Sequence, residues 1–209
     1  YFRSSAAYRV RIALHLKGLA FESVPVHLLR DGGQQHAAGY AALNPNETVP
    51  SLDDDGQILN QSLAIIEYLD ETHPNPPLLP GSAAERARIR AVAQTIACDI
   101  HPLNNLRVLQ HLTRTFDLSE AQKAEWYCHW VERGLQTVEK MLASDPRTGR
   151  FCHGDTPTLA DCCLVPQVFN ARRFGCSLAG LPTTLRICAA CDALEAFVRA
   201  APQHQPDAE

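Results

Sequence analysis

The sequence predicts an α/β domain of order βαβαββα with a mixed sheet, followed by an all-α domain. Three observations carry this. Short alternating apolar runs are confined to the first third of the chain; a proline-dense break, His73-Pro-Asn-Pro-Pro-Leu-Leu-Pro-Gly-Ser82, follows them; and every later segment has helical spacing. At 209 residues there is room for two small domains, set here at 1–77 and 84–209.

The first element is an extended aromatic start, Tyr1 to Arg3, ending in Ser4-Ser5. The chain opens inside this strand, so more of it is expected upstream, and a removed targeting segment stays open. Tyr8, Ile12 and Leu16 then recur every four residues, with Arg9, Arg11, His15 and Lys17 expected at the water face of an amphipathic helix. Ser4 or Ser5 is its N-cap. A helix start carries unpaired N–H groups and partial positive charge, which favour an anion, and a serine hydroxyl adds one directed hydrogen bond. Simple capping is the ordinary reading of such a pair at this point.

Lys17-Gly18 stops the helix. Phe21 to Leu28, with Val24, Val26 and Leu28 alternating, reads as a second strand placed at an edge by Pro25. Asp31-Gly32-Gly33 is a turn, and Gln34 to Leu43 a short, weakly patterned helix or irregular segment. Val49-Pro50 precedes the third strand; trans is the default for such a bond, but a cis bond there would turn Val49 outward to pair with a peptide-like ligand. Asp53-Asp-Asp-Gly56 is a hairpin turn and Gln57 to Asn60 a short strand. Gln61-Ser62 opens a helix with Leu63, Ile66 and Leu69 inward, another helix start able to receive a carboxylate.

Beyond the break, a long helix from about Ala84 should kink near His101 to Asn104 because of Pro102. Ser119-Glu-Ala-Gln122 and Thr158-Leu-Ala-Asp161 are capping boxes, the first for a helix to about Leu142, the second for the apolar helix Cys162 to Phe174. Two more helices follow Pro182, and 203–209 is a polar tail.

Composition narrows the function classes. A net charge of −4 gives no basic footprint for nucleic acid, and no apolar run approaches a membrane span. All eight cysteines lie at or after Cys98, which reads as reduced thiols of a cytoplasmic protein. Cys188-Ala-Ala-Cys191 has the spacing of redox and zinc motifs but lies within a helical run without a second pair, so no metal is expected.

The whole chain resembles the soluble glutathione transferases, on its βαβαββα order with X-Pro before the third strand, Gln-Ser at the last helix and the helical second domain. Ser4-Ser5-Ala6-Ala7-Tyr8-Arg9-Val10-Arg11-Ile12-Ala13-Leu14 matches the zeta-class pattern Ser-Ser-Cys-x-x-Arg-Val-Arg-Ile-Ala-Leu except at Ala6. Asp31 to Gln35, Gln61 to Leu69, Asp161 to Val168 and Gln205 to Asp207 also look like that class, which includes the isomerases of maleylacetoacetate and maleylpyruvate.

The resemblance implies a thioredoxin-like first domain, glutathione as cofactor, a small dicarboxylate substrate and a homodimer. By position, Ser4 corresponds to the residue that hydrogen-bonds the glutathione sulfur, with Ser5 beside it. Val49, next to Pro50, would hold the cysteinyl backbone, Gln61 and Ser62 the γ-glutamyl carboxylate, and Gln35 the glycyl end. His101 and Asn105 fall where the class borders the glutathione site. The implied chemistry is cis–trans isomerisation: a thiolate adds to the double bond, the resulting single bond rotates, and elimination regenerates glutathione. Dicarboxylates call for arginines, and Arg3, Arg107 and Arg173 are the candidates facing the cleft, with Arg172 competing with Arg173. Because the nucleophile belongs to glutathione, Ala6 alters the pocket without removing the chemistry. Maleylacetoacetate is the first choice of substrate and maleylpyruvate the second; a conjugating or dehalogenating transferase and a non-catalytic binding module are the alternatives.

Overall fold

Helix α1 (Ser5–Leu16) starts where Ser4, in extended conformation, accepts the Ala7 N–H at 3.2 Å, and it ends at Lys17 and the left-handed Gly18. Its second half is not amphipathic. Arg9 and Arg11 are 2% and 7% exposed and Lys17 8%, so the expectation that they face water is corrected. Helices α3 (Ser62–Thr72) and α9 (Glu195–Ala200) cover α1 from two sides, and each buried cation is fed by backbone or side-chain acceptors. Arg11 donates to the carbonyls of Ala200 and Phe2, each at 3.0 Å. Burial pulls its pKa down to about 10, with Tyr8 and Asp207 opposing, so it stays charged at neutral pH. Lys17 Nζ donates to Asp70 at 2.5 Å and to the carbonyls of His73 and Pro76 at 2.6 Å, neutralising the C-terminal end of α3.

The computed structural model describes residues 1–209. It divides into one unit of Tyr1–Leu79 with Asp192–Glu209 and another of Pro80–Cys191. In the first, α1 is followed by short 3-10 turns, Arg30–Gly32 and Gln34–His36, then α2 (Ala38–Leu43), the hairpin β1 (Ser51–Asp54) and β2 (Gln57–Asn60), and α3. The hairpin pairs Ser51 with Asn60 and Leu52 with Leu59, and Asp55 and Gly56 both take positive φ, the geometry of a two-residue turn that matches strand twist. In α3 the buried apolar residues are Ile65, Ile66 and Leu69; Leu63, expected inward, is only half-buried.

Two expected strands are absent. Tyr1 to Arg3 is a turn, and Phe21 to Leu28 forms no strand and has no ladder partner. A cavity of about 140 Å³ over α1 is lined by both Phe21–Val26 and Val49–Leu52, and the only ladder is the β1–β2 hairpin. Pro25 contributes no N–H, and Val24 is 74% exposed.

In the second unit, α4 (Ala83–Gln94) begins at the capping box Ser82/Glu85. The break expected at Pro102 starts earlier: a π-helical turn, Thr95–Ile100, passes into a 3-10 turn, His101–Asn104, before α5 (Leu106–Phe116). Proline removes an N–H and crowds the preceding turn, which the wider π turn accommodates. Both predicted capping boxes form, opening α6 (Glu120–Ala143) and α7 (Leu159–Arg173). Ile96, Val131, Leu135, Val138, Leu164 and Val168 are 0–1% exposed and make this core. At Gly134 an added Cβ would fall 2.3 Å from Ile100, so a larger side chain would force α6 away from the π turn. Asp161, fully buried, accepts from the Thr158 N–H and hydroxyl and the Cys152 N–H; burial nevertheless raises its pKa. The unit ends within α8 (Pro182–Asp192), whose first N–H groups, Thr183 and Thr184, are capped by Glu139 of α6 at 2.9 and 2.8 Å.

Candidate active site

The first unit offers two helix N-termini, those of α1 and α3, tied together by a buried arginine. Ser4 and Ser5 differ sharply there. Ser5 is 3% exposed, whereas Ser4 is half-buried and caps α1. In accepting the Ala7 N–H, the Ser4 oxygen uses one lone pair and keeps its O–H proton to donate. Capping therefore orients the hydroxyl at the positive end of the helix without consuming its donor. Ala6, where a cysteine would stand, is half-buried in the first turn. Arg3 precedes this turn with its guanidinium 4.6 Å from the Phe2 ring.

Ser62 opens α3 and is 7% exposed, and its Oγ accepts from Arg9 Nη1 at 3.3 Å. Gln61 before it is exposed and has φ 72°, a conformation rare for a residue with a side chain and found where local structure over-determines the backbone. Arg9 is the residue that sequence reasoning missed. Its spacing from Ser5 (i−4) and Ile12 (i+3) puts it on the buried face, a signal masked by expecting an arginine to seek water.

The Val49-Pro50 bond is cis, and both residues line the cavity over α1. The preceding loop is fixed at Thr48, whose carbonyl accepts from the Tyr40 hydroxyl and Asn44 Nδ2, each at 2.7 Å. Gln35 is 7% exposed; its Oε1 is buried without a hydrogen-bond partner, leaving an acceptor unsatisfied. That cavity reaches Val49 and Pro50 but not Ser4, Gln35, Gln61 or Ser62. The donors at the two helix starts, not the cavity, mark the chemically useful surface.

In the second unit, His101 Nε2 and Asn105 Nδ2 lie 3.2 Å apart, and Asn105 caps α5 by accepting the Arg107 N–H at 3.2 Å. Trp126 of α6 donates to the Leu103 carbonyl at 2.7 Å and anchors this bend. The Arg107 residue is exposed, as are Arg172 and Arg173 at the end of α7. The Arg173 guanidinium sits 4.4 Å from the Phe174 ring, which stacks on Tyr127 at 3.8 Å. Burial pushes the Tyr127 phenol up, with Arg173 opposing. These groups hold one cation at a fixed place on an aromatic shelf.

Residues 1–77 match the glutathione S-transferase N-terminal domain and residues 107–200 the C-terminal domain of the same family. A probable maleylacetoacetate isomerase of Vibrio cholerae is 52% identical over 208 residues, covering 100% of this chain and 96% of its own. Among solved structures, the holo form of a maleylpyruvate isomerase, a bacterial zeta-class glutathione S-transferase, is 48% identical with a TM-score of 0.97, over 100% of this chain and 98% of that one. A maleylacetoacetate isomerase from Methylobacterium extorquens, solved with bound malonate and glutathione, is 44% identical with a TM-score of 0.95, over 100% and 97%. The fold is that of these transferases, a thioredoxin-like first domain and a helical second one.

Proposed function

The chain belongs to the glutathione S-transferase family, and from that premise we propose that it isomerises maleylacetoacetate to fumarylacetoacetate with glutathione as a catalytic cofactor. The observation that carries this reading is the half-buried Ser4 hydroxyl, held by capping at the start of α1 with its proton still available.

The residues present fit glutathione chemically. An anionic sulfur suits a helix start with a hydroxyl donor, a carboxylate suits the Gln61–Ser62 start of α3, and the orphaned Gln35 Oε1 lacks a donor that a peptide-like ligand carries. Val49, beside Pro50, offers main-chain groups to the cysteinyl backbone. His101 and Asn105 are assigned to the border of the same ligand. When bound, glutathione supplies a thiolate that adds reversibly to the cis double bond, allowing rotation before it leaves.

The chain's own part is electrostatic. Ser4 donates to the sulfur, and the first turn of α1, including Ser5, adds the helix-terminus field; together these favour thiolate over thiol. Arg9 positions Ser62 rather than touching the reacting atoms. Arg3, Arg107 and Arg173 are assigned to the substrate carboxylates, Arg173 being pre-set by its aromatic shelf. Ala6 leaves the turn without a thiol, so the nucleophile need not come from the protein.

The second reading, maleylpyruvate isomerisation, is supported by the close match to the maleylpyruvate isomerase structure. Side-by-side turnover of the two maleyl acids tests the choice. Catalytic glutathione with faster turnover of maleylacetoacetate is expected. Preference for maleylpyruvate would replace the substrate assigned, and stoichiometric consumption of glutathione would replace isomerisation with conjugation. A cytoplasmic homodimer is proposed on family grounds; the structure itself has no helix long and apolar enough to cross a membrane, and its eight cysteine thiols form no disulfide.

A further inference from the structure

Two of those thiols are neighbours. Cys128 lies on α6 and Cys176 three residues past the end of α7, 48 residues apart in sequence, yet their sulfurs are 2.6 Å apart. That separation is inside ordinary non-bonded sulfur contact and approaches the ~2.05 Å of a disulfide. The surroundings hold the two segments together already. Phe174 stacks on Tyr127 at 3.8 Å, Cys128 Sγ lies 3.7 Å from the Phe174 carbonyl, and Glu132 of α6 accepts the Ser177 N–H at 2.7 Å. The thiols also differ in access: Cys128 is half-buried, whereas Cys176 is 7% exposed. Cys98, by contrast, is exposed within the π turn.

We propose that Cys128 and Cys176 form a reversible dithiol–disulfide couple that reacts with small-molecule disulfides such as glutathione disulfide. The half-buried Cys128 thiolate attacks one sulfur of the small disulfide, whose S–S bond breaks and releases the first thiol. Cys176, as thiolate, then attacks the Cys128 sulfur, and the mixed bond breaks to release the second thiol. The protein loses two electrons and two protons; the small disulfide gains both and leaves as two thiols. Burial, with Cys128 and Glu132 adding to it, pushes the Cys176 thiol up, which makes it a poor first attacker. Its proximity to Cys128 suits it to the intramolecular second step. The product ties α6 to the chain three residues beyond Arg173.

The test uses the full chain carrying Cys98→Ser, which removes the exposed thiol and leaves seven cysteines. It is equilibrated in buffers of fixed glutathione and glutathione disulfide, quenched in acid, alkylated after unfolding, and analysed by intact and peptide mass. The expected product has five alkyl groups, no glutathione adduct, and a crosslinked peptide pair containing Cys128 and Cys176. Its fraction should follow the ratio of glutathione disulfide to the square of glutathione, as a two-electron couple requires. Adding Cys176→Ser should trap one glutathione on Cys128, and adding Cys128→Ser should leave Cys176 reduced. Seven alkyl groups at every buffer ratio, or a lasting glutathione adduct on Cys128 while Cys176 remains present, would overturn the proposal. The readout is mass, so it stands apart from the isomerase reading.

Discussion

Replacing Ser4 with alanine separates two jobs that one hydroxyl performs. As a cap, Ser4 accepts the Ala7 N–H at 3.2 Å, and losing that bond costs about 1 kcal/mol of stability. As a donor to a thiolate it forms a charge-assisted hydrogen bond, worth roughly 1.5–3 kcal/mol. One pKa unit corresponds to about 1.4 kcal/mol, so the bound glutathione thiol should rise by about 1–2 units in Ser4→Ala. For a thiol held near pH 6.5, a shift of that size turns a mostly ionised group into a mostly protonated one at neutral pH, and turnover should fall roughly tenfold. The sign is fixed by linkage: the wild-type thiolate persists to lower pH, and the rising limb of the pH–rate profile moves alkaline in the variant. The assay is thiolate absorbance against pH in the binary complex, with turnover and urea melts in parallel. Ser4→Gly retains capping to within a few tenths of a kcal/mol while removing the hydroxyl, so it should reproduce the pKa shift with less loss of stability. An unshifted thiol pKa in both variants would exclude Ser4 from thiolate stabilisation.

Lys17→Met leaves the half-buried Asp70 beside the Leu78 and Leu79 N–H groups without its cation, and should cost about 3 kcal/mol, the low end for a buried pair, by urea denaturation; a loss below about 1 kcal/mol would show that the pair contributes little. Arg173→Ala, at an exposed position, should raise the substrate KM roughly tenfold with an unchanged melting temperature, and an unchanged KM would remove it from substrate binding. At Glu139, burial opposes ionisation, but the Thr183 and Thr184 N–H groups outweigh it and hold the carboxyl below its ordinary value. Its stabilisation is thus complete above the unfolded carboxylate pKa of about 4.3 and is lost as pH falls through the lower folded value. Glu139→Gln should lower stability at pH 7 and flatten the decline of stability below about pH 4; an acid limb as steep as the wild type's would refute the assignment.

The sequence by itself determined what short-range chemistry controls. Ser4, Ser119 with Gln122, and Thr158 with Asp161 open helices as their side chains dictate, and Asp55-Gly56 turns the hairpin because both take positive φ. Their order, with Val49-Pro50 and Gln61-Ser62 between them, made the Ser4 and Ser62 helix starts legible as candidate ligand sites. Tertiary structure alone decided burial and pairing. Arg9, Arg11 and Lys17 are interior because α3, α9 and the Asp70 turn meet α1, partners lying about fifty to nearly two hundred residues away. Phe21 to Leu28 carries a strand pattern, but a strand exists only where a neighbour supplies the ladder, and the space beside it is a cavity. Segment Asp192–Glu209, which includes α9, clusters with the amino-terminal unit, where the Phe2 N–H reaches Asp207 at 2.9 Å. Cys128 and Cys176, unremarkable at a separation of 48 residues, become a sulfur pair only when α6 and the end of α7 meet. The caps and turns legible in the sequence depend on side chains within four residues of one another; burial, thiol pairs and the Glu139 cap of α8 depend on which distant segment arrives alongside.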